Sequence, residues 1–452
     1  MDVKKNIISG SVLEQNSKGG SRHGMIAFPG VFSGKRDTVY IDDAIMSKHM
    51  MLIGGTGCGK TNVFYYIVDQ IKKTMKQDDL MIVFDTKGDY YEKFHDDRDL
   101  VIGNSEEYYQ QSVRWNLFRE VLSDGWEWRL LENNLNELSW SVFRESIEKS
   151  KQPFFPNAAR DLFSAILKCM FLKGATDNAY KRKSFYNSEL KKAFETSDLS
   201  IISRLLRSNK DTQSALSYIG DGSSQQALGV YAELQNTIQK LLIGVFAEKG
   251  DFSIRNFVRE KGGKTLFVEY DMASGNMLSP IYSLLFDLAL KEALGRTNKK
   301  DMLAKTSSVK GNVYLICDEF RLLPFLQHID DGVNFGRSMG VKIVAGLQSI
   351  NQLTEAYGEY RGKNILAGFS TIFAFKANDS FTRDYITGLH GKNVVIEQQR
   401  TIANSIREER IESYVVGDWD MNNLEQGDAI ISFPFEKPFR FHFDLYQKGW
   451  AV

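Results

Sequence analysis

Cysteine is scarce in this sequence: 452 residues contain three, Cys58, Cys169 and Cys317, isolated and without C-x-x-C spacing. A scattered, odd set supports neither a disulfide framework nor a zinc site and fits reduced surroundings. Net charge is missing too, because 57 Lys and Arg balance 57 Asp and Glu. Bulk basicity therefore gives no argument for nucleic-acid binding, although positive charge is needed only where a polyanion passes. Long apolar runs are also absent, none approaching the roughly 18 residues of a membrane span. Residues 1–30 are polar and rich in Gly and Ser, unlike the charged stub and apolar segment of a leader. What remains is an ordinary globular composition, 42% hydrophobic and 25% charged, which disfavours disorder and collagen-like structure. The length predicts about two or three domains.

Met50 to Ile53 is a compact apolar run that stops at Gly54, the pattern of a buried strand feeding a loop. Beyond the loop, Val63, Phe64, Ile67, Val68 and Ile71 fall at helical spacing. Leu80 to Phe84 reads as a second buried strand, ending at Asp85 in D-T-K-G-D. These elements begin an α/β unit with a parallel sheet. From about Val121 to Lys261 the pattern turns helical, with one stripe at Ala158, Ala159, Leu162, Phe163, Ile166 and Leu167 and another at Leu234, Ile238, Leu241, Leu242 and Val245. Polar breaks are expected at Gly174–Asn187 and Gly220–Gln226. Strands resume at Thr265–Tyr270, Val313–Cys317, Lys342–Leu347 and Thr371–Phe375. The expected division is a polar segment over residues 1–24, an α/β core over 25–120 and 262–452, and an all-alpha insertion over 121–261. No fixed-period repeat is visible.

Gly54 to Thr61 reads G-G-T-G-C-G-K-T, a complete phosphate-binding loop between a strand and a helix. The backbone of Gly54, Gly55, Thr56, Gly57, Cys58 and Gly59 can turn N–H groups toward phosphate oxygens, and the following helix, with Asn62 in its first turn, adds its positive end. Lys60 is expected to reach the β- and γ-phosphates of ATP, and the Thr61 hydroxyl to bind Mg²⁺. Cys58 is read as a small residue that fits the loop.

Hydrolysis needs a further metal-positioning carboxylate and a group that orients water, both at the end of a buried strand. Val313–Cys317 followed by Asp318 and Glu319 supplies the two together, which assigns Asp318 to Mg²⁺ and Glu319 to water activation. Asp85 and Glu269 also end apolar runs; the simpler reading of each is a carboxylate that caps the next turn or helix. Further along, Arg337 could stabilise transition-state charge at a subunit boundary, and Gln348, at the end of a strand, could sense the γ-phosphate; either side chain could equally be solvated surface. The run Lys181-Arg182-Lys183, with Phe185, Tyr186, Lys191 and Lys192, mixes charge with aromatics. It suits phosphate contact and base stacking, or simply a solvated face. The alternating charges of Arg407–Glu412 receive no role.

Together these blocks resemble a known family, the TraG/TraD-like coupling ATPases of type IV secretion and conjugative DNA transfer, in the HerA/FtsK branch of RecA-like motors. The resemblance rests on H-M-M-L-I-G-G-T-G-C-G-K-T at His49–Thr61, F-D-T-K-G-D at Phe84–Asp89, W-N-L-F at Trp115–Phe118, L-I-C-D-E-F at Leu315–Phe320 and G-R-S-M-G-V-K-I-V-A-G-L-Q-S at Gly336–Ser349. It implies a RecA-like P-loop core with a mostly parallel central sheet, an inserted all-alpha domain that engages DNA and its bound protein, and nucleotide contacts from Arg337 and Gln348. It further implies a DNA-stimulated ATPase using ATP and Mg²⁺, with single-stranded or relaxase-bound DNA, a relaxase and channel proteins as partners, in a homo-hexamer. Membrane-embedded members carry transmembrane helices ahead of the loop, and residues 1–49 contain none. The expected location is therefore the cytoplasm, or the inner face of the cell membrane through a separate membrane-protein partner, unless a membrane segment has been removed. Two other readings stand beside this one: a soluble HerA/FtsK-like translocase in DNA processing or phage defence, and a nucleotide-gated adaptor with little hydrolysis.

Overall fold

The computed structural model describes residues 4–14, 24–295, 311–400 and 406–449. Its strands, in chain order, are β1 (Lys4–Ser9), β2 (Ile26–Phe32), β3 (Lys35–Ile41), β4 (Met50–Ile53), β5 (Leu80–Asp85), β6 (Leu100–Ile102) and β7 (Lys264–Glu269). They continue with β8 (Val313–Cys317), β9 (Val341–Leu347), β10 (Thr371–Phe375), β11 (Lys392–Arg400), β12 (Ile406–Tyr414), β13 (Asp428–Ser432) and β14 (Phe439–Phe443). The chain divides into two compact units, the first made of Met1–Lys76, Val309–Arg321 and Val333–Val452, the second of Gln77–Ser308 and Leu322–Gly332.

In the first unit the strands pair in the order β3-β2-β14-β13-β10-β4-β9-β8. The run from β10 to β8 is parallel, and the strands beyond it are antiparallel. Every residue of β4, β8, β9 and β10 is buried, as parallel strands covered on both faces require. Gln70, itself buried, locks the helix Lys60–Thr74 to β2: its Oε1 accepts from Ala27 N–H at 2.9 Å and its Nε2 donates to Ala27 O at 2.9 Å. Phe28, Phe373 and Phe443 pack with ring centroids 5.6–5.7 Å apart and close the core between β2, β10 and β14. A separate antiparallel sheet, β1-β11-β12, contains the charged segment 407–412. There Gln398 Nε2 donates to Glu408 Oε1 at 2.7 Å across the strands.

In the second unit β5, β7 and β6 pair in parallel. Phe84 of β5 packs against Tyr282 and Phe286 of the helix Gly275–Leu294 at 5.6 Å. Between β6 and β7 the described chain is helix and turn, apart from one isolated bridge, Trp115 with Phe252. The expected insertion 121–261 lies wholly inside this unit. Both sequence stripes are buried, on the helices Phe154–Thr176 and Gln225–Leu241 and just beyond the latter. One expectation fails: Gly174–Asn187 is no simple break. Helix Phe154–Thr176 runs through Gly174, and a second helix, Asn178–Ser184, starts because the Asp177 carboxylate accepts the Tyr180 N–H at 2.9 Å.

The W-N-L-F block is a joint between chain segments. Asn116 Oδ1 caps the helix Leu117–Val121 by accepting from Phe118 N–H, while its Nδ2 donates to Gly250 O at 2.7 Å and Phe185 O at 3.0 Å. Trp115 Nε1 donates to the buried carboxylate of Glu120 at 2.8 Å, which also accepts from Ser253 Oγ at 2.8 Å. Burial raises the pKa of Glu120, and these donors oppose the shift.

Candidate functional site

The candidate site sits where the parallel strands of the first unit end together. Ile53 of β4 lies in register with Leu347 of β9 on one side and Ala374 of β10 on the other. The chain then leaves the sheet as a loop held by both neighbours: Gly54 N–H donates to Leu347 O at 3.0 Å and Gly55 N–H to Lys376 O at 2.8 Å. At Gly59 the backbone adopts φ 114°, a left-handed conformation that glycine enters without a Cβ penalty, and the helix begins at Lys60. No side chain caps this helix start, so its first N–H groups are left for an anion.

Lys60 is buried and its Nζ donates to Gly54 O at 2.5 Å and Gly55 O at 3.1 Å. Thr61 Oγ1 donates to Asp318 Oδ2 at 2.8 Å, which joins the loop to the end of β8. Glu319 Oε2 accepts from Gln348 Nε2 at 2.8 Å, and Gln348 Oε1 faces Thr56 Oγ1 at 3.5 Å. The expected residues Lys60, Thr61, Asp318, Glu319 and Gln348 are thus brought to one edge. The oxygens of Thr61 and Asp318 are hard donors, a small set that suits Mg²⁺, which keeps water and phosphate oxygens as its remaining ligands. Among the described residues no cluster of three or more His, Cys, Asp or Glu forms a separate metal site.

Other expected residues are placed differently. Thr56 and Gly57 are exposed at the loop tip. Cys58 is buried, its thiol pushed up by burial despite the Lys60 charge, and its carbonyl accepts from Gly427 N–H at 3.0 Å. The Asn62 side chain is committed elsewhere: Nδ2 donates to Asp444 O at 2.8 Å and Oδ1 accepts from Tyr446 N–H at 2.7 Å. Arg337 lies exposed in the turn Gly336–Met339, and its side chain makes no hydrogen bond or ion pair among the described residues.

Two contributors escaped the sequence reading. A Cβ at Gly346 would stand 2.1 Å from Asp318 O, so glycine in β9 is what lets the carboxylate pair sit so close to that strand. Arg321 Nε donates to Glu319 Oε1 at 3.0 Å; it is two residues past the carboxylate, a position from which an ion pair could have been anticipated. The mixed basic and aromatic segment also differs from expectation. Phe185 is buried and stacked on Phe118 at 4.7 Å, so it is closed to base stacking. Lys181 lies over Trp126 at 4.4 Å and Lys249 over Tyr186 at 4.4 Å. Arg182, Lys183 and Lys192 remain exposed as a cationic surface.

The competing carboxylates belong to the second unit and face each other in register at the ends of β5 and β7. Asp85 caps the turn that follows, accepting from Tyr90 and Tyr91 N–H at 2.8 and 2.9 Å. Among the described residues the Glu269 side chain caps no backbone N–H; the next turn is made by Asp271, which accepts from Ala273 N–H at 2.9 Å. Burial, reinforced by the Asp85 charge and a hydrogen bond with it, raises the Glu269 carboxyl far enough to keep it protonated at neutral pH.

A P-loop at the C-terminal edge of parallel strands, with a threonine–aspartate pair and a glutamate beside it, defines a P-loop nucleotide-binding protein. The family model described as type IV secretion-system coupling protein DNA-binding domain matches residues 37–438, and the chain belongs to that family. It is 22% identical to coupling protein TraD of Escherichia coli (strain K12) over 355 residues, 76% of this chain and 44% of TraD. The chain therefore spans less than half the length of that curated relative. Two solved structures of plasmid coupling protein TrwB are similar at 19% identity. The complex with the non-hydrolysable ATP analogue ADPNP has a TM-score of 0.74, covering 98% of this chain and 95% of TrwB. The complex with ADP and Mg²⁺ has a TM-score of 0.71, covering 99% and 96%. These likenesses establish the RecA-like α/β fold with a mostly parallel sheet and a helical region. Among the described residues no helix is long and apolar enough to cross a membrane.

The buried acid pair gives a testable pH dependence. A carboxyl whose folded pKa is raised contributes fully below its ordinary value of 4.5 and loses that contribution as pH climbs. Glu269→Gln imitates the protonated form. Its melting temperature is expected to gain on the wild type as pH rises from about 5 to about 9, by roughly 2–4 °C per kcal/mol recovered. Parallel melting curves across that range would contradict the assignment.

Proposed function

We propose that this chain is the ATP-hydrolysing, DNA-handling portion of a coupling motor that delivers DNA, or a relaxase–DNA complex, to a conjugative transfer channel. The observation that carries the reading is the hydrogen-bonded row Thr56–Gln348–Glu319 beside Lys60 and the Thr61–Asp318 pair, in a chain of the coupling-protein family. In this reading the N–H groups of Thr56 to Asn62 cradle the phosphates of ATP, those of Gly54 and Gly55 being bonded to Leu347 O and Lys376 O, while Lys60 draws the β- and γ-oxygens and Thr61 with Asp318 would hold Mg²⁺. The ion supplies charge neutralisation on the phosphate oxygens. Glu319 orients the attacking water and takes its proton, and Gln348 links that carboxylate to the loop. TrwB with ADPNP and with ADP and Mg²⁺ supports the choice of ligands.

Arg337, exposed and unpaired among the described residues, acts on the nucleotide of a neighbouring copy in a homo-hexamer. The division we propose has a polar segment at 1–24, a nucleotide-binding core at 25–120 and 262–452, and an all-alpha insertion at 121–261 that meets DNA. Lys181, Arg182, Lys183, Lys191 and Lys192 supply phosphate contact there, without stacking from Phe185. Relaxase and channel proteins are the partners, and the chain works at the cytoplasmic face of the membrane. The nucleotide-gated adaptor is the reading that the kinetic test below separates, since a switch does not need Glu319.

Three outcomes follow from these roles. Lys60→Ala abolishes nucleotide binding and turnover, whereas Glu319→Gln slows DNA-stimulated turnover by about 100-fold or more while a fluorescent ATP analogue still binds; wild-type turnover in Glu319→Gln would instead favour the adaptor. Arg337→Ala lowers turnover by on the order of 1,000-fold, and mixing it with Lys60→Ala subunits recovers part of the activity, because an intact loop then meets an intact arginine wherever the two kinds of subunit are suitably adjacent. Replacing Lys181, Arg182 and Lys183 together by alanine weakens DNA binding about equally across sequences and reduces the salt slope by roughly 2–3, which titration at several salt concentrations measures.

A further inference from the structure

Glu319 offers two carboxylate oxygens, and both are engaged. Oε2 accepts from Gln348 Nε2 at 2.8 Å and Oε1 from Arg321 Nε at 3.0 Å. The two donors differ in how they are held. Gln348 directly follows β9, its own N–H donates to Gln352 Oε1 at 3.2 Å, and its amide oxygen faces Thr56 in the loop, so its bond belongs to the framework. Arg321 stands in the short turn Phe320–Leu322. Its side chain is 48% exposed against 18% for Glu319, and Glu319 is its ion-pair partner among the described residues. The guanidinium is therefore open to solvent and to competing anions on the side away from Glu319.

We propose that Arg321 is a restraining residue for hydrolysis: it occupies the Glu319 oxygen that must take the proton of the attacking water, and turnover rises when its guanidinium is drawn away. This rests on the reading of Glu319 as the water-activating carboxylate. A general base needs an oxygen within hydrogen-bond reach of the proton it removes. With Arg321 on Oε1 and Gln348 on Oε2 that access is contested, and an arginine cannot itself accept the proton because it has no acceptor. Once Oε1 is released, the proton of water passes to it as the water oxygen bonds to the γ-phosphorus. The bond from that phosphorus to the bridging oxygen breaks, and ADP leaves with the electron pair. Half-exposed charge pairs hold weakly, so the restraint is a brake of a few fold and not a lock.

The test is steady-state ATP turnover without DNA by the purified wild type, Arg321→Ala, Arg321→Lys, Arg321→Ala with Glu319→Gln, and Lys60→Ala. Arg321→Ala is expected to raise kcat about two- to fivefold with KM for Mg-ATP unchanged, equivalent to roughly 0.4–1 kcal/mol in the barrier. Arg321→Lys, which keeps a cation beside Glu319, is expected to return kcat close to the wild-type value, and the double variant to show no gain. An unchanged or reduced kcat in Arg321→Ala, at an unchanged melting temperature, overturns the proposal. So does a gain that survives in the double variant. Should the alanine variant fold poorly, Arg321→Gln is read by the same criteria. Wild-type turnover no higher than that of Lys60→Ala both without DNA and with DNA added would overturn the ATPase reading itself, whereas turnover well above Lys60→Ala with Arg321→Ala equal to wild type overturns the restraint alone.

Discussion

The placement of β4 between β9 and β10 is the constraint on which the site depends. Both neighbours run parallel to it, so their C-terminal ends face the same way, and the carbonyls of Leu347 and Lys376 stand ready for the N–H groups of Gly54 and Gly55. Those bonds hold a glycine-rich segment that would otherwise be free to wander. The same parallel arrangement brings β8 alongside β9, with Cys317 opposite Ala345. Asp318 therefore emerges within reach of Thr61, 257 residues away in the chain. A shift of β4 by one residue would turn its side chains to the opposite faces and take the loop with them.

Charge is distributed according to how deeply each part is buried. The site carboxylates Asp318 and Glu319 are half-buried at the sheet edge and each meets a hydrogen-bond donor. In the second unit the Asp85–Glu269 pair is buried more deeply, and two adjacent carboxylates there are tolerable only when they share a proton. Chemical similarity at the level of sequence, an acid at the end of an apolar strand, thus separates into different physical states. Burial beside a second carboxylate is what holds Glu269 neutral.

Much of the fold was legible because its strongest signals are local. A four-residue apolar run before a glycine loop and a 3.6-residue stripe after it identify β4 and the helix Lys60–Thr74 without any partner in view. The stripes in Phe154–Thr176 and Gln225–Leu241 work the same way. The antiparallel strands from β11 onward were not legible. In β12 charged residues dominate, so no apolar period marks it, and its pairing with β11 supplies the order instead. The helix Asn178–Ser184 was missed because its polar sequence has no stripe; the Asp177 cap is what starts it.

The sequence by itself determined the loop Gly54–Thr61, the strand-terminal pair Asp318–Glu319 and the family blocks around Arg337 and Gln348, because each is a short contiguous pattern whose chemistry follows from residue type. Tertiary structure decided which of these meet. It joined Thr61 to Asp318 and Gln348 to Glu319, turned Asn62 away toward Asp444 and Tyr446, and buried Phe185 beneath Phe118. It also revealed Gly346 and Arg321 as neighbours of the carboxylates. Distances across a sheet depend on strand order and register, and those depend on pairings between residues hundreds of positions apart that no local pattern records.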